Sequence, residues 1–159
     1  MQIKRAYRFR FYPSPEQETV LARTFGCARF VYNHMLRLRT DAWFERQERV
    51  GYHATSAALT LLKKTPEHAW LNEVSSVPVQ QALRHLQTAF VNFWAKRTGY
   101  PSFKRKDGPQ SAEYTTSAFK WDGKALKLAK MDTPLAIRFS RTIPKAAVVT
   151  TVTVSKDAA

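Results

Sequence analysis

Cleavage of a phosphodiester by metal ions needs carboxylates that converge on one or two cations, and these usually come from different strands and helices. Asp41, Glu45 and Glu48 instead lie along one stretch at helical spacing, interleaved with Arg46 and Arg49. That arrangement predicts a solvent-facing row of ion pairs rather than a metal cage. The four histidines, His34, His53, His68 and His85, are scattered, with no cysteine partner and no HxxxH or HExxH spacing, so each is expected to be structural or a donor to phosphate. A phosphate-cradling glycine loop and a nucleophile elbow are both missing, and a tyrosine nucleophile would still need positioned acids, bases or metal ligands. Cys27 is the sole cysteine, which excludes an internal disulfide and a multi-thiolate zinc site. It stands beside apolar helix positions and reads as a packing residue. No catalytic residue and no metal ligand is therefore expected in this chain, and no small-molecule substrate.

What remains is charge. Lys and Arg number 26 against 12 Asp and Glu, a formal excess of +14 over 159 residues. A compact body with that excess repels itself unless a polyanion screens it, so nucleic acid is the expected partner. A membrane surface is the competing polyanion, but no apolar run approaches the ~20 residues of a bilayer span. Nor does the start of the chain show the apolar segment of a secretory signal, and a cytoplasmic, nucleoid-associated location is expected. Between Glu73 and Asp107 there is no acidic residue at all, while Arg84, Lys96, Arg97, Lys104, Arg105 and Lys106 fall inside that interval. Local pairing cannot neutralise it, and Tyr100 and Phe103 within it suit a phosphate backbone with stacking surfaces.

These residues need elements to hold them. From Ile3 to Tyr12 the pattern alternates, with Tyr7, Phe9 and Phe11 on one face and Lys4, Arg8 and Arg10 on the other, which predicts a half-buried strand. Ser14-Pro15-Glu16-Gln17 is a helix start with a capping box. The spacing predicts that this helix ends near Phe25, that Gly26 takes the left-handed conformation, and that a second helix runs from Cys27 to Arg49 with Val31, Met35, Leu38 and Ala42 buried. Thr55 or Ser56 should cap a short helix ending near Lys64, and Thr65-Pro66-Glu67 a further turn in which Trp70 and Leu71 plug the space between helices. Ser76 and Pro78 should open the last helix, with Val79, Leu83, Leu86, Phe90 and Phe93 inward. After Pro101 short β runs follow, at Tyr114 to Ser117, Phe119 to Trp121, Ala125 to Leu128, Leu135 to Phe139 and Val148 to Val154, with Asp122-Gly123 as a hairpin turn.

Five motifs in order carry a resemblance: Tyr12-Pro13 with Gln17; Gly26-Cys27-Ala28-Arg29-Phe30-Val31-Tyr32-Asn33; Trp70-Leu71; Gln81-Ala82-Leu83 through Ala89-Phe90 with Asn92-Phe93; and Gly99-Tyr100-Pro101-Ser102-Phe103-Lys104. Over nearly its whole length the chain resembles the amino-terminal part of the TnpB (OrfB) family, insertion-sequence proteins associated with transposition that act as RNA-guided DNA endonucleases. The resemblance implies an α+β fold in which a helical recognition domain of about four helices, residues 14–99, is inserted into a small wedge-type β-barrel made from residues 1–13 and 100–159. It further implies guide RNA and double-stranded target DNA as partners. The chain stops at Ala159, before the family's Gly-x-Asp-x-Gly strand, later carboxylates and four-cysteine zinc element. A RuvC-like nuclease domain, with its Mg²⁺ and zinc, is therefore expected outside this sequence, and this chain is expected to be no enzyme and to need no cofactor. A last strand ending here is also expected to lack its partner.

On this reading Arg5, Arg8, Arg10, Arg29, Lys104, Arg105 and Lys106 contact the nucleic-acid backbone, which positions rather than specifies. Tyr52, Ser56, Gln80 and Gln81 are the candidates for reading the motif beside the target, since Gln can pair with adenine and Ser with several bases. The alternative is a freestanding helix-turn-helix DNA-binding protein whose second helix presents Arg29, Tyr32 and Asn33 to the major groove.

Overall fold

The computed structural model describes residues 2–157. Its longest element, α1 (Pro15–Arg46), starts where the capping box places it. Gln17 N–H donates to Ser14 Oγ at 3.2 Å, and Ser14 N–H donates to Gln17 Oε1 at 3.0 Å. The same Gln17 is 4% exposed and spends its amide nitrogen on Thr133 O, Thr133 Oγ1 and Pro134 O, each at 3.1 Å. A local cap thus doubles as a clasp onto the distant β region.

The break expected at Gly26 does not occur. At 32 residues α1 is continuous and about 48 Å long. Glycine inside a helix costs about 1 kcal/mol relative to alanine. A break would strand backbone groups between buried Phe25 and buried Cys27, at about 1–3 kcal/mol for each one left unpaired. The smaller cost wins. Gly26 is also where the side chains of α1 change allegiance: Leu21 and Phe25 enter the β core, while Cys27, Ala28, Val31, Tyr32, Met35 and Leu36 enter the helical core.

Around that second stretch pack α2 (Tyr52–Lys64), a 3₁₀ segment (Pro66–Glu73) and α3 (Ser76–Trp94). Val79, Leu83, Leu86 and Phe90 of α3 are buried as their spacing predicts, and Phe93 is half-buried. Two local readings need correction. Gly51, without a side-chain cap, precedes α2, because Thr55 lies a turn inside and donates back to Tyr52 O at 2.7 Å. Ser76 opens α3 as expected, with Ser75 before it as the N-cap, accepting from Val77 N–H. Leu71 is fully buried, but Trp70 is 39% exposed, its indole N–H bonded to Glu67 O and its ring edge-on to Phe30. Only the leucine is a plug.

The β region contains three antiparallel ribbons: β1 (Arg10–Phe11) with β5 (Ile137–Arg138), β2 (Gln110–Thr115) with β6 (Thr151–Lys156), and β3 (Phe119–Trp121) with β4 (Leu126–Leu128). Each is two-stranded, and they do not close into a barrel. Single bonds such as Leu135 N–H to Leu126 O and Ala129 N–H to Ala118 O link neighbouring segments without extending a ladder. The ribbons share a core of Tyr114, Leu128, Met131 and Val154 with Leu21 and Phe25 of α1. The alternation from Tyr7 to Phe11 is visible as burial, with Tyr7, Phe9 and Phe11 half-buried and Arg8 and Arg10 exposed, yet ladder pairing is confined to two residues. The last strand begins at Thr151, leaving Val148 83% exposed, and it is not orphaned: all six residues pair with β2. The hairpin at Asp122-Gly123 forms as expected, with Gly123 at φ +94° and Asp122 Oδ1 accepting from the backbone of Lys124 and Ala125.

Candidate nucleic-acid interface

At the seam between the two cores, the loop carrying Lys104, Arg105 and Lys106 is held from two sides. Asn33 on α1 makes a reciprocal pair with the backbone of Lys104, Nδ2 donating to its carbonyl at 2.9 Å and Oδ1 accepting its N–H at 2.7 Å. Gln110, at the start of β2, donates through Nε2 to Arg105 O, Lys106 O and Gly108 O. Arg29 in turn donates to Gln110 Oε1 at 2.8 Å. The loop backbone is fixed while its three cationic side chains are exposed. Lys104 Nζ lies 4.6 Å from the Tyr32 ring, and Arg105 pairs with Asp107 at the surface.

Arg29 is therefore half-buried and structural in part, unlike its companions in the predicted backbone-contact set. Arg5, Arg8 and Arg10 are exposed along the first segment, at the β end of the molecule. The groups expected to read bases in the helix-turn-helix alternative are occupied. Arg29 and Asn33 hold the loop, and Tyr32 is 6% exposed. Its hydroxyl pKa is raised by that burial.

Three of the four base-reading candidates meet. Gln80 on α3 donates through Nε2 to Tyr52 Oη at 2.6 Å and Ser56 Oγ at 2.9 Å on α2. All three side chains are partly accessible, and the guanidinium of Arg84, one turn beyond Gln80, lies 4.7 Å from the Tyr52 ring centroid. Gln81, about a hundred degrees further round the helix, stands apart from this cluster. Sequence reading missed Gln110, whose importance lies in backbone contacts that leave no spacing signal. It also missed Arg84 as a neighbour of Tyr52, although its i+4 relation to Gln80 was there to be seen.

The carboxylates behave as their spacing predicts. Asp41 pairs with Arg37, and Glu45 and Glu48 pair with Arg46, all at the surface. Among the described residues Arg37, Arg46 and Arg105 are the arginines held in ion pairs, so most of the positive excess is uncompensated. Cys27 is buried, and burial raises its thiol pKa. His34 and His68, far apart in sequence, come together with Phe30 and Trp70, their rings 6.2 Å apart. Burial, then the neighbouring His68, lowers the His34 pKa. No three His, Cys, Asp or Glu side chains converge as a donor set among the described residues. No described helix is long and apolar enough to cross a membrane.

Comparison with known proteins gives these observations a lineage. A family model described as a helix-turn-helix domain of the IS605 OrfB type matches residues 1–48. In this chain the matched segment holds β1 and the single continuous α1. A Streptomyces pristinaespiralis protein named "Putative RNA-guided DNA endonuclease" is 60% identical over 159 residues, covering 99% of this chain and 40% of that protein. Escherichia coli K12 InsQ, named "Putative RNA-guided DNA endonuclease InsQ", is 30% identical over 114 residues, 72% of this chain and 28% of its own length. "Virulence protein VsdF" of Salmonella dublin is 34% identical over 117 residues, 65% of this chain and 95% of that protein. The chain spans well under half the length of the two endonuclease-named relatives. With its motifs, its α+β architecture and these matches in agreement, the chain belongs to the TnpB (OrfB) family of insertion-sequence proteins.

Proposed function

We propose that this chain is the nucleic-acid-binding amino-terminal portion of an RNA-guided DNA endonuclease, acting in the cytoplasm at the nucleoid. It grips guide RNA and target backbone through Arg5, Arg8, Arg10 and the Lys104–Lys106 loop, and reads a short duplex motif with Tyr52, Ser56 and Gln80. The observation that carries the reading is the convergence of those three side chains across two helices. Because the amide nitrogen of Gln80 donates to both hydroxyls, its carbonyl oxygen remains as an acceptor and the two hydroxyl protons remain as donors for a ligand. An acceptor flanked by donors matches the amino group and N7 of adenine in the major groove, and opposes the paired acceptors of guanine. Strand cleavage is assigned to the longer part of such proteins, outside this chain.

Binding measured across a salt series and a panel of single-base-pair variants tests this. Log affinity should fall steeply with log salt, and replacing Lys104, Arg105 and Lys106 by Ala should reduce the slope by up to about three. Gln80→Ala should lose roughly 1–3 kcal/mol of discrimination at one base pair, while Gln81→Ala keeps it. A flat salt dependence would remove the grip, and a uniform loss across all sequences in Gln80→Ala would remove the reading.

A further inference from the structure

Arg39 is 5% exposed, and among the described residues no carboxylate pairs with it. Its Nη1 donates to Gln87 Oε1 at 2.8 Å, and its Cζ lies 4.0 Å from the Phe90 ring centroid and 5.9 Å from that of Trp94. Removing a cation from water costs several kcal/mol, and ring faces with one neutral acceptor return only part of it. Among the described residues no side-chain nitrogen is both fully buried and unbonded, so the other guanidinium nitrogens keep an edge to solvent. The positive charge is held under a layer of aromatic carbon.

That layer has an open side. Trp94 ends α3 at 57% exposure, leaning on Phe90 at 5.8 Å between centroids. The helix then closes through Lys96, at φ +59°, and Arg97, whose N–H donates to Asn92 O at 2.9 Å. Left-handed backbone is where a helix usually places glycine, but here the position carries another cation. An exposed indole alone would accept any flat apolar partner. With a guanidinium beneath it that has no carboxylate partner among the described residues, two cations following it and no acid in the sequence between Glu73 and Asp107, its partner is selected to be both aromatic and anionic. A base inside a duplex has both faces covered by its neighbours, so the flat ring suits one that is free.

We propose that Trp94, backed by Arg39 and flanked by Lys96 and Arg97, is a stacking site for an unpaired nucleotide, its base on the indole and its phosphate on the cations. The site rests on the nucleic-acid reading above and adds a contact separate from the duplex-reading cluster on α2 and α3.

The test uses the full chain with three probes, a short oligoadenylate RNA, the DNA of the same sequence, and a blunt DNA duplex. Binding of either single strand should quench tryptophan emission. Trp94→Ala should weaken single-strand binding about tenfold, with duplex affinity and the salt slope unchanged. Trp94→Phe keeps a ring and should stay within about threefold while losing most of the quench. Loss on both single strands, or on the RNA alone, supports the site and names its source. Wild-type binding to single strands with an indifferent Trp94→Ala, or an equal loss on the duplex, overturns this inference alone. Failure of the wild-type chain to bind any of the three overturns the nucleic-acid reading with it. The tryptophan is exposed, so circular dichroism should show both variants folded.

Discussion

The helical and β parts of this molecule solve the same problem with different means. Among the described residues fourteen buried side chains make the helical core and ten make the β core, and each helix satisfies its own backbone whatever its neighbours do. The β part has three two-stranded ribbons, each with open edges, and a two-stranded ribbon is marginal by itself in water. It is held by what it packs on, namely Leu21 and Phe25 of α1 and the Gln17 clasp on Thr133 and Pro134. The candidate base readers stand on the self-supporting part. The cationic loop stands on the seam, where Asn33, Gln110 and Arg29 tie it to both. Rigid helices can hold a hydrogen-bond pattern against a base edge, whereas phosphate grip tolerates a surface fixed only through its backbone.

If α1 welds the two cores, damage to either should be felt by both. Met35→Ala in the helical core and Leu128→Ala in the β core, each at positions 0–1% exposed, should each cost about 2–5 kcal/mol and lower one shared thermal transition. Two separate transitions in calorimetry, only one of them moved by each variant, would break the comparison and make the lobes independent.

A smaller effect of opposite sign probes the weld itself. A Cβ at Gly26 would meet only Arg29 Nη2 at 3.9 Å, and the backbone there is helical. Gly26→Ala should therefore stabilise the chain by about 0.5–1 kcal/mol in denaturant unfolding. Destabilisation would mean that the joint works as a left-handed turn after all.

The smallest effect sharpens the description of the helical side. The His34 pKa is lowered by burial and by His68, so the unfolded chain binds its proton more readily than the folded chain. Stability from this source is complete above the ordinary histidine value near 6.5 and is lost as pH falls toward the lower folded value. His34→Gln should flatten that part of the stability profile, and an unchanged profile would assign the pH dependence elsewhere.

Much of this was legible in the residues alone, wherever the interaction is short-range. The Ser14–Gln17 box, the Asp122-Gly123 turn, the buried stripe of α3 and the surface pairing of Asp41, Glu45 and Glu48 each depend on neighbours within a few positions, which spacing reports directly. The five motifs identified the family because they are specific in type and order. Tertiary structure decided the rest. Whether Gly26 bends or continues depends on cores on either side of it, and both outcomes are within reach of a residue that costs a helix only about 1 kcal/mol. Which ribbons pair, and that they stay open, depends on partners up to 128 residues apart, as with Arg10 and Arg138. Gln80 reaches Tyr52 and Ser56 only because α2 and α3 pack together, and Arg39 is buried without a carboxylate because Phe90 and Trp94 close over it. Periodicity can say that a side chain faces inward; what waits for it there is set by the other elements of the fold.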